Sequence, residues 1–465
     1  MRRTPVLLAV LLLFAAAFTL VSRDPQPDPR LKKASRSPER GGWIQVHLEG
    51  SPAEIGFQHG YLLAPEIKDT FKDLSTELMH DEKKDWEFFR KTARDVFWPK
   101  VEQEYRDEMN GIVEGLKARD VKLDIWDLVA MNSWLEVSYY DKTLEAGGTS
   151  SKSGAGDHCS AFAATGSYTK DGRVVIGHNN WTSFSSGERW NIIFDIVPAQ
   201  GYRIVMDGMA GLIHSGDDFG INSAGIIITE TTISDFKGFD VNGIPEFTRA
   251  RKAMQYSQSI DDFARIMKEG NNGGYANNWL VADRKTNEVA DLELGLKHVT
   301  LERTKDGYFV GSNFPKNPQL AAEETSFNST DKSNSQNARH KRWTDLMEEN
   351  KGKIDVAAGE KFLGDHFDTY QGKVEANERT LCGHIEASPR GMGSWQAPYA
   401  PAGAVQNKIT DASGAEKLTM YAALGHACGV SFKAGDHLAK HAEYAWMKDI
   451  LRDMPARGWT KFVAK

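Results

Sequence analysis

Cys159 stands at the boundary between two very different stretches of the chain. Residues 145–158 have Gly or Ser at half of their positions and no large apolar side chain, which is typical of an exposed, flexible segment. Cys159 follows at once and opens a short hydrophobic run that predicts a β-strand. A lone cysteine is most often a buried core residue. A thiol at this boundary is also a candidate nucleophile, provided that a base lies within hydrogen-bond reach.

Cys159 can supply that base itself. If the peptide bond between His158 and Cys159 is cut, the freed α-amine has an ordinary pKa of about 7.7–8.0, which suits proton transfer near neutral pH. Self-cleavage requires a bond that can reach a strained geometry and a cut end that can move away. A flexible segment that ends at Cys159 meets both requirements, so the residues favour autocatalytic processing at this bond.

Polar residues at the end of the next predicted strand are candidates to complete the site. The motif Gly177-His178-Asn179-Asn180-Trp181 closes that strand, and a hairpin with the Cys159 strand would bring the motif close to the thiol. His178 is then either a catalytic group or a structural histidine with satisfied hydrogen bonds.

Two further pairs of polar residues have the right chemistry but allow two interpretations each. Asp217 and Asp218 lie in a Ser-Gly turn and are either site acids or an Asx turn. Asn277 and Asn278 follow a Gly pair and precede a hydrophobic strand. Their amides can stabilise an oxyanion, or they are simply turn residues.

Hydrophobic periodicity predicts the elements that must position these groups. After a short strand at 43–48, residues up to about 141 have helical spacing, and from Cys159 onward the chain becomes rich in strands. The predicted strands are 160–165, 173–177, 191–197, 202–206, 225–232, 279–283, 289–294 and 308–311. Later helices are predicted over 245–270, 337–350 and 435–454. This order indicates an α+β protein of stacked layers, with sheets inside and helices outside.

The N-terminus predicts export. Arg2 and Arg3 precede an apolar run over residues 6–21, so residues 1–22 are either a cleaved signal peptide or a retained membrane anchor. Residues 23–42 are rich in Arg, Pro, Lys and Ser and predict a flexible tether. The body of the protein is therefore expected outside the cytoplasm, periplasmic or secreted, with a membrane tether if the apolar segment is retained.

Composition excludes several classes of protein. The 465 residues carry 64 acidic and 57 basic side chains without a long basic run, which argues against a nucleic-acid-binding protein. The three cysteines leave one thiol unpaired in an oxidising compartment; Cys382 and Cys428 can form a disulfide with each other, which would leave Cys159 free. No CxxC or Cys/His ligand spacing predicts structural zinc, and we expect neither a metal nor an organic cofactor. Oligomeric state is not predictable.

Five sequence blocks in order resemble the phospholipase B-like proteins and the related penicillin acyltransferase-type cysteine family, both N-terminal nucleophile hydrolases. After a family-like opening block over 50–64, the blocks are Cys159-Ser160-Ala161, Gly177-His178-Asn179-Asn180-Trp181, Ser215-Gly216-Asp217-Asp218-Phe219, Glu230-Thr231-Thr232 and Tyr275-Ala276-Asn277-Asn278-Trp279. The resemblance implies a four-layer αββα sandwich cut before Cys159. Residues 43–144 would form the helical part of a small chain, residues 145–158 the processing linker, and residues 159–465 the catalytic large chain.

The resemblance also implies a site. Cys159 would be the nucleophile, and the pocket would be lined by His178, Asn180, Trp181, Asp217 or Asp218, Thr231, and Asn277 or Asn278. Many amidase relatives carry an Asp where this chain has Asn179 and Asn180, so the task of orienting the amine would pass to His178 or to downstream acids.

The expected activity is hydrolysis of an acyl amide or ester through an acyl-enzyme on Cys159. A small-molecule or lipid acyl compound is the expected substrate, and an amide is favoured because an amine-based proton relay suits an amine leaving group. An acyltransferase with the same nucleophile, a non-catalytic exported binding protein with the same fold, and a zinc hydrolase are the alternatives. The last lacks any HExxH spacing.

Overall fold

The computed structural model describes residues 28–145, 158–393 and 395–465. The predicted signal or anchor at 1–22 and nearly all of the linker at 145–158 lie outside the described residues. Within the described ranges, no helix is both long enough and apolar enough to cross a membrane.

Two large sheets form the centre of the molecule. The nine-stranded sheet has the order β1-β2-β5-β6-β7-β8-β9-β10-β11, and the six-stranded sheet has the order β12-β3-β4-β15-β16-β17. All neighbours are antiparallel except β2 and β5. The strands are β1 (Ser35–Arg36), β2 (Ile44–Gly50), β3 (His158–Thr165), β4 (Val175–Ser183), β5 (Ile192–Pro198), β6 (Ile204–Gly208), β7 (Gly220–Asn222), β8 (Ile226–Thr232), β9 (Asn277–Asp283), β10 (Glu288–Leu294), β11 (Val299–Thr304), β12 (Gly307–Gly311), β13 (Phe367–Asp368), β14 (Lys373–Val374), β15 (Ala402–Asp411), β16 (Thr419–Leu424) and β17 (Thr460–Val463).

Helices cover the outer faces of both sheets. The described residues form α1 (Pro52–Leu62), α2 (Ala64–Glu82), α3 (Trp86–Thr92), α4 (Gln103–Lys117), α5 (Ile125–Asn132), α6 (Trp134–Glu145), α7 (Phe184–Gly187), α8 (Glu246–Tyr256), α9 (Ile260–Lys268), α10 (Pro318–Glu324), α11 (Ser335–Glu349), α12 (Val356–Leu363), α13 (Ala412–Glu416) and α14 (Ala434–Lys440). A π-helical turn, Ala93–Phe97, and a short 3-10 turn, Trp98–Lys100, connect α3 to α4.

The alternation of side chains along the strands produces the layers. In β3, Ala161 and Ala163 belong to the core between the two sheets, whereas Phe162 packs with Trp343 of α11 and Phe362 of α12 in the outer core. The other face of the nine-stranded sheet packs on the N-terminal helices together with α8 and α9. Successive strand residues point to opposite faces, so one strand serves two cores. The result is the expected four-layer αββα sandwich.

The N-terminal segment is part of this sandwich. β2 lies inside the nine-stranded sheet beside β5, so the segment 43–144 contributes a strand as well as helices. Residues 28–42, predicted as part of a flexible tether, are also folded: Ser35 and Arg36 pair with β2, and the Arg30 guanidinium lies 3.4 Å from the centre of the Phe57 ring. That tether prediction is corrected for residues 28–42.

Two predicted helices are interrupted. The prediction over 245–270 becomes α8 and α9, because the chain is extended at Ser257 and the Ser259 hydroxyl then caps α9 by accepting the Asp262 N–H at 3.1 Å. The prediction over 435–454 becomes α14 and a 3-10 stretch, Ala442–Asp449. β15 was not predicted, because Gln406, Asn407 and Lys408 break its hydrophobic pattern although all three are buried.

Four glycines set the distance between α1 and α4. A Cβ on Gly56 would lie 1.9 Å from the Glu108 carbonyl oxygen, and one on Gly60 would lie 2.1 Å from the Ile112 carbonyl oxygen. From the other side, a Cβ on Gly111 or on Gly115 would lie 2.4 Å from a carbonyl oxygen of α1. The two helices therefore touch backbone to backbone, and any side chain at these positions must separate them.

Gly60→Ala should lower the free energy of unfolding by about 1–3 kcal/mol, because the clash outweighs the higher helix propensity of alanine. Urea unfolding followed by tryptophan fluorescence measures the change. Gly435→Ala in α14 is the control: a Cβ there meets nothing within 4 Å, so its stability should be unchanged or slightly higher. Equal stability of the two variants would contradict this account of the helix contact.

Candidate active site

Cys159 lies at the second residue of β3, opposite Asn180 of β4, and is fully buried. Its position in the alternation of β3 matches that of Ala161 and Ala163, so the side chain points between the two sheets. The sulfur is 3.6 Å from Asn180 Oδ1 and 3.8 Å from Glu230 Oε1. The thiol is therefore surrounded by polar oxygens at one end of a mainly apolar core.

Glu230 is the acid at the thiol, and the sequence did not single it out. It belongs to β8, beyond Ile228, where the pairing of β7 with β8 ends. Tyr275 donates a hydrogen bond from its hydroxyl to Glu230 Oε1 at 2.8 Å. One sequence signal could have found Glu230: it is an acid inside the hydrophobic run of β8. A buried carboxylate needs polar partners, so an acid at such a position indicates a polar site.

The backbone of Cys159 is held as firmly as its side chain. Its N–H donates to Asn313 Oδ1 at 3.1 Å, and its carbonyl oxygen accepts from Arg339 Nη1 at 2.6 Å. Asn313 follows β12 with a φ of 64°, a left-handed conformation that asparagine tolerates better than most residues. The Cys159 nitrogen, which would become the α-amine after cleavage, thus already has a side-chain acceptor.

Arg339 of α11 connects these groups from the outer helical layer. Besides the Cys159 carbonyl, its guanidinium donates to Ser160 Oγ at 3.0 Å, to Asn313 Oδ1 at 2.9 Å and to Ser335 Oγ at 2.9 Å. Burial lowers the pKa of Arg339 to about 9, and the negative charge of Cys159 opposes that shift. The guanidinium therefore stays mainly protonated at neutral pH. Neither Asn313 nor Arg339 was predicted, since both lie far from the recognisable blocks.

The predicted site residues of β4 divide between the two faces of the six-stranded sheet. Asn180 shares the inner face with His178, while Trp181 lies on the outer face, where the Arg339 guanidinium stacks 4.4 Å above its ring. Trp181 therefore contacts Arg339 on the outer side of the sheet and does not face the thiol. Burial, together with the nearby Lys408, lowers the pKa of His178 well below its ordinary value, so this imidazole stays neutral.

Cys159, His178 and Glu230 could together hold a cation. The ligand atom of each residue lies within 4.8 Å of the other two, and thiolate, imidazole and carboxylate are all zinc ligands. The zinc content of a Cys159 variant tests whether these three residues bind a metal.

The turn acids are engaged with partners other than the thiol, and their place in the pocket stays a prediction. Lys408 Nζ contacts both Asp217 Oδ2 and Asp207 Oδ2, the latter at 3.0 Å, and Ser215 Oγ lies within hydrogen-bond distance of one oxygen of each acid. Lys408 comes from the six-stranded sheet and Asp207 from the nine-stranded sheet, so this ion cluster joins the two sheets. Asp218 is buried beside Glu246 instead.

The asparagine pair divides in the same way as β4. Asn278 shares a face with Leu280 and Ala282, which pack between the sheets, whereas Asn277 shares the opposite face with Trp279. Asn278 Nδ2 donates to the carbonyl oxygen of Phe314 at 3.2 Å, one residue beyond Asn313. Asn278 is thus the member on the side of Cys159.

Thr231 is the cross-strand partner of Asn278 and lies against β12. A Cβ on Gly311 would meet Thr231 Oγ1 at 2.5 Å, so the absence of a side chain at this glycine makes room for the threonine. The predicted threonine therefore stands between the sheets, in the layer that contains the thiol.

A cavity of 350 Å³ adjoins this group of residues. Thr232, whose carbonyl oxygen accepts from Asn313 Nδ2, and Ser335, which binds Arg339, belong to its wall. The rest of the wall mixes apolar and polar side chains, which include Ile233, Phe236, Phe327, Met392, Trp395, Asp235, Asn328, Asp331, Gln336 and Arg390. Its volume is typical of a small-molecule site.

The four-layer αββα sandwich with a cysteine at the start of an inner strand agrees with the fold that the sequence predicts. Residues 53–319, more than half of the chain, match the family model named Phospholipase B. The chain therefore belongs to the phospholipase B family.

Individual relatives are distant. An uncharacterized protein of Archaeoglobus fulgidus is 28% identical over 53% of this chain and 42% of its own length. The 40 kDa form of acyl-coenzyme A:6-aminopenicillanic-acid-acyltransferase of Emericella nidulans is 24% identical over 49% of this chain and 57% of its own. The chain thus spans about half the length of these curated relatives. A solved structure of a conjugated bile acid hydrolase variant from Clostridium perfringens covers 57% of this chain and 88% of its own chain. Its sequence identity is 13% and its TM-score is 0.35.

Asp218→Asn should make stability less dependent on pH. Burial and the neighbouring Asp217 raise the pKa of Asp218 to about 8, so between about pH 5 and pH 7 the folded state keeps a proton that the unfolded state has lost. This group therefore lowers stability as pH rises, by up to about 1.4 kcal/mol per pH unit, and the variant removes that contribution. Urea unfolding across this pH range gives the slope. The exposed Asp120→Asn should leave the slope unchanged, and an unchanged slope in Asp218→Asn would contradict the assignment.

Proposed function

We propose that the protein is an exported, self-processing cysteine hydrolase of acyl amides. The observation that carries the proposal is the clamp on Cys159: Asn313 accepts from its nitrogen, Arg339 donates to its carbonyl oxygen, and Glu230 and Asn180 flank its sulfur. A purely structural core cysteine needs partners for its buried backbone groups but no polar oxygens at its sulfur, whereas a nucleophile whose own amine is the base needs nitrogen, carbonyl and sulfur all held in place.

Processing would use the same thiol. The sulfur attacks the carbonyl carbon of His158, the bond between that carbon and the Cys159 nitrogen breaks, and the nitrogen leaves with a proton as the free α-amine. Water then hydrolyses the thioester, which releases the carboxylate of His158. Asn313, already bonded to this nitrogen, keeps the new amine next to the sulfur.

Turnover would repeat this chemistry on a substrate. The α-amine takes the thiol proton, and the thiolate attacks the acyl carbon. The Asn278 amide and backbone N–H groups are the proposed donors to the oxyanion. The α-ammonium of Cys159 then protonates the leaving amine of the substrate. In the second half of the reaction the α-amine of Cys159 deprotonates a water molecule, which attacks the thioester and releases the acid. Glu230 stabilises the ammonium while it carries the proton.

The cavity favours a substrate with both apolar and polar parts. Its apolar side chains suit an acyl chain, and its charged residues suit a polar head group. An amide is the favoured bond because self-processing already cuts one. The family name makes a phospholipid ester the second candidate, and the acyltransferase among the relatives makes transfer to an amine the third.

The test is release of fatty acid from N-acyl amino acids and from lysophospholipids by the purified protein. Cys159→Ala should lose at least about 1,000-fold in kcat/KM, and Arg339→Lys about 10–100-fold, because a shorter amine cannot hold the carbonyl and Asn313 together. Arg251→Lys is the matched control, because Arg251 is buried like Arg339 but pairs with Glu108 at 2.9 Å. The activity of this variant per folded molecule should equal that of the wild type. Saturable substrate binding by the wild type without any turnover would contradict the proposal and favour a binding protein. Faster acyl release to an added amine than to water would favour the transferase.

A further inference from the structure

Four thiol and imidazole side chains meet on the outer side of the six-stranded sheet. His366 precedes β13, Cys382 and His384 precede the 3-10 turn Ile385–Ala387, and Cys428 follows β16. One ligand atom from each lies within 4.8 Å of all the others. Cys382 and His384 are buried, whereas His366 and Cys428 are only partly covered.

The distances within this group match a tetrahedron. His384 Nε2 is 3.2 Å from His366 Nε2, 3.7 Å from Cys382 Sγ and 3.5 Å from Cys428 Sγ. Tetrahedral zinc, with Zn–N bonds of about 2.0–2.1 Å and Zn–S bonds of about 2.3 Å, requires roughly 3.3 Å between two nitrogens and roughly 3.6 Å between nitrogen and sulfur. The three separations agree with these values within a few tenths of an ångström.

Hydrogen bonding alone does not account for the arrangement. His384 Nδ1 is 2.8 Å from Glu386 Oε1, and a carboxylate can only accept, so Nδ1 carries a proton. Nε2 then has either one lone pair or one proton to share, although three other side chains converge on it. A cation bound by all four side chains satisfies them together. A carboxylate behind a ligating imidazole is also the usual outer partner in zinc sites.

We propose that His366, Cys382, His384 and Cys428 bind a structural zinc ion. Two thiolates balance the charge of Zn²⁺, and a closed set of two sulfurs and two nitrogens is a standard structural zinc environment. The sequence analysis predicted no such site because the ligands are spread from position 366 to position 428 without a short spacing motif. It left a disulfide between Cys382 and Cys428 open instead, but both are free thiols in the structure, with His384 beside each sulfur.

The zinc would anchor a loop that supports the active-site wall. The carbonyl oxygen of Leu381, next to Cys382, accepts from Asn179 Nδ2 of β4 at 3.0 Å. Gly383 is so close to Trp181 that a Cβ at this glycine would lie 2.2 Å from the indole ring. The Arg339 guanidinium stacks on the same indole. Loss of the ion should therefore loosen the outer support of Arg339.

Metal analysis of the full-length protein, purified without chelators, tests the proposal. The wild type should contain about one zinc per chain, and Cys382→Ser and Cys428→Ser should lose it. Cys159→Ser is the matched control and should keep about one zinc, because its thiol belongs to the other cluster. Zinc lost from Cys159→Ser and kept in Cys382→Ser would overturn the site and assign the ion to the Cys159, His178 and Glu230 trio.

A second measurement covers variants that fail to fold. Wild-type protein stripped by a chelator should melt at a lower temperature and recover on addition of Zn²⁺ alone. Co²⁺ in its place should give the intense sulfur-to-cobalt charge-transfer absorption of a tetrahedral thiolate site. Wild-type protein without zinc, or a peptide map that shows Cys382 disulfide-bonded to Cys428, would overturn the proposal. Neither result depends on the proposed hydrolase activity.

Discussion

The hydrogen bonds to the backbone of Cys159 are the constraint on which the site depends. Asn313 on the nitrogen and Arg339 on the carbonyl oxygen fix the position of the first residues of β3 from two different elements. Each partner is fixed in turn: Asn313 donates to the Thr232 carbonyl oxygen, and Arg339 binds Ser335 and stacks on Trp181. The thiol between Asn180 and Glu230 is therefore positioned by β4, β8, α11 and the turn after β12 together.

Buried polar groups between the sheets require their partners. Asn180 Nδ2 donates to Gln406 Oε1 at 2.7 Å, and Gln406 Nε2 donates to the Trp190 carbonyl oxygen at 2.8 Å. Lys408 is held by Asp207 and Asp217 across the same interface. Removing one partner of such a buried pair typically costs about 3–5 kcal/mol, because the other charge is left uncompensated. This polar layer fixes the register of β15 against β4 and keeps the inner face of the site rigid.

Local patterns predicted most strands before residue 312, missed β15, β16 and β17, and predicted the contacts poorly. Hydrophobic runs around Cys159, Ile228 and Leu280 fall within observed strands, and their alternation explains which residues face the neighbouring sheet. β15 was not predicted because a lysine in a strand normally indicates an exposed position. Lys408 can be buried only because acids from distant parts of the sequence, Asp207 and Asp217, pair with it. Arg339 and Asn313 could not be found for a related reason, since their significance arises only when β3 forms beside them. The four proposed zinc ligands likewise become neighbours only after folding.

N-terminal sequencing and intact mass of the purified chain test the central claim most directly, namely that Cys159 becomes an N-terminal nucleophile by its own action. We predict two fragments from the wild type, one beginning Cys-Ser-Ala-Phe and the other ending at His158, and a single uncut chain from Cys159→Ala. A wild-type protein that stays in one piece while it hydrolyses substrate would contradict the account. So would a Cys159→Ala variant cut at the same bond, because an external protease would then be responsible.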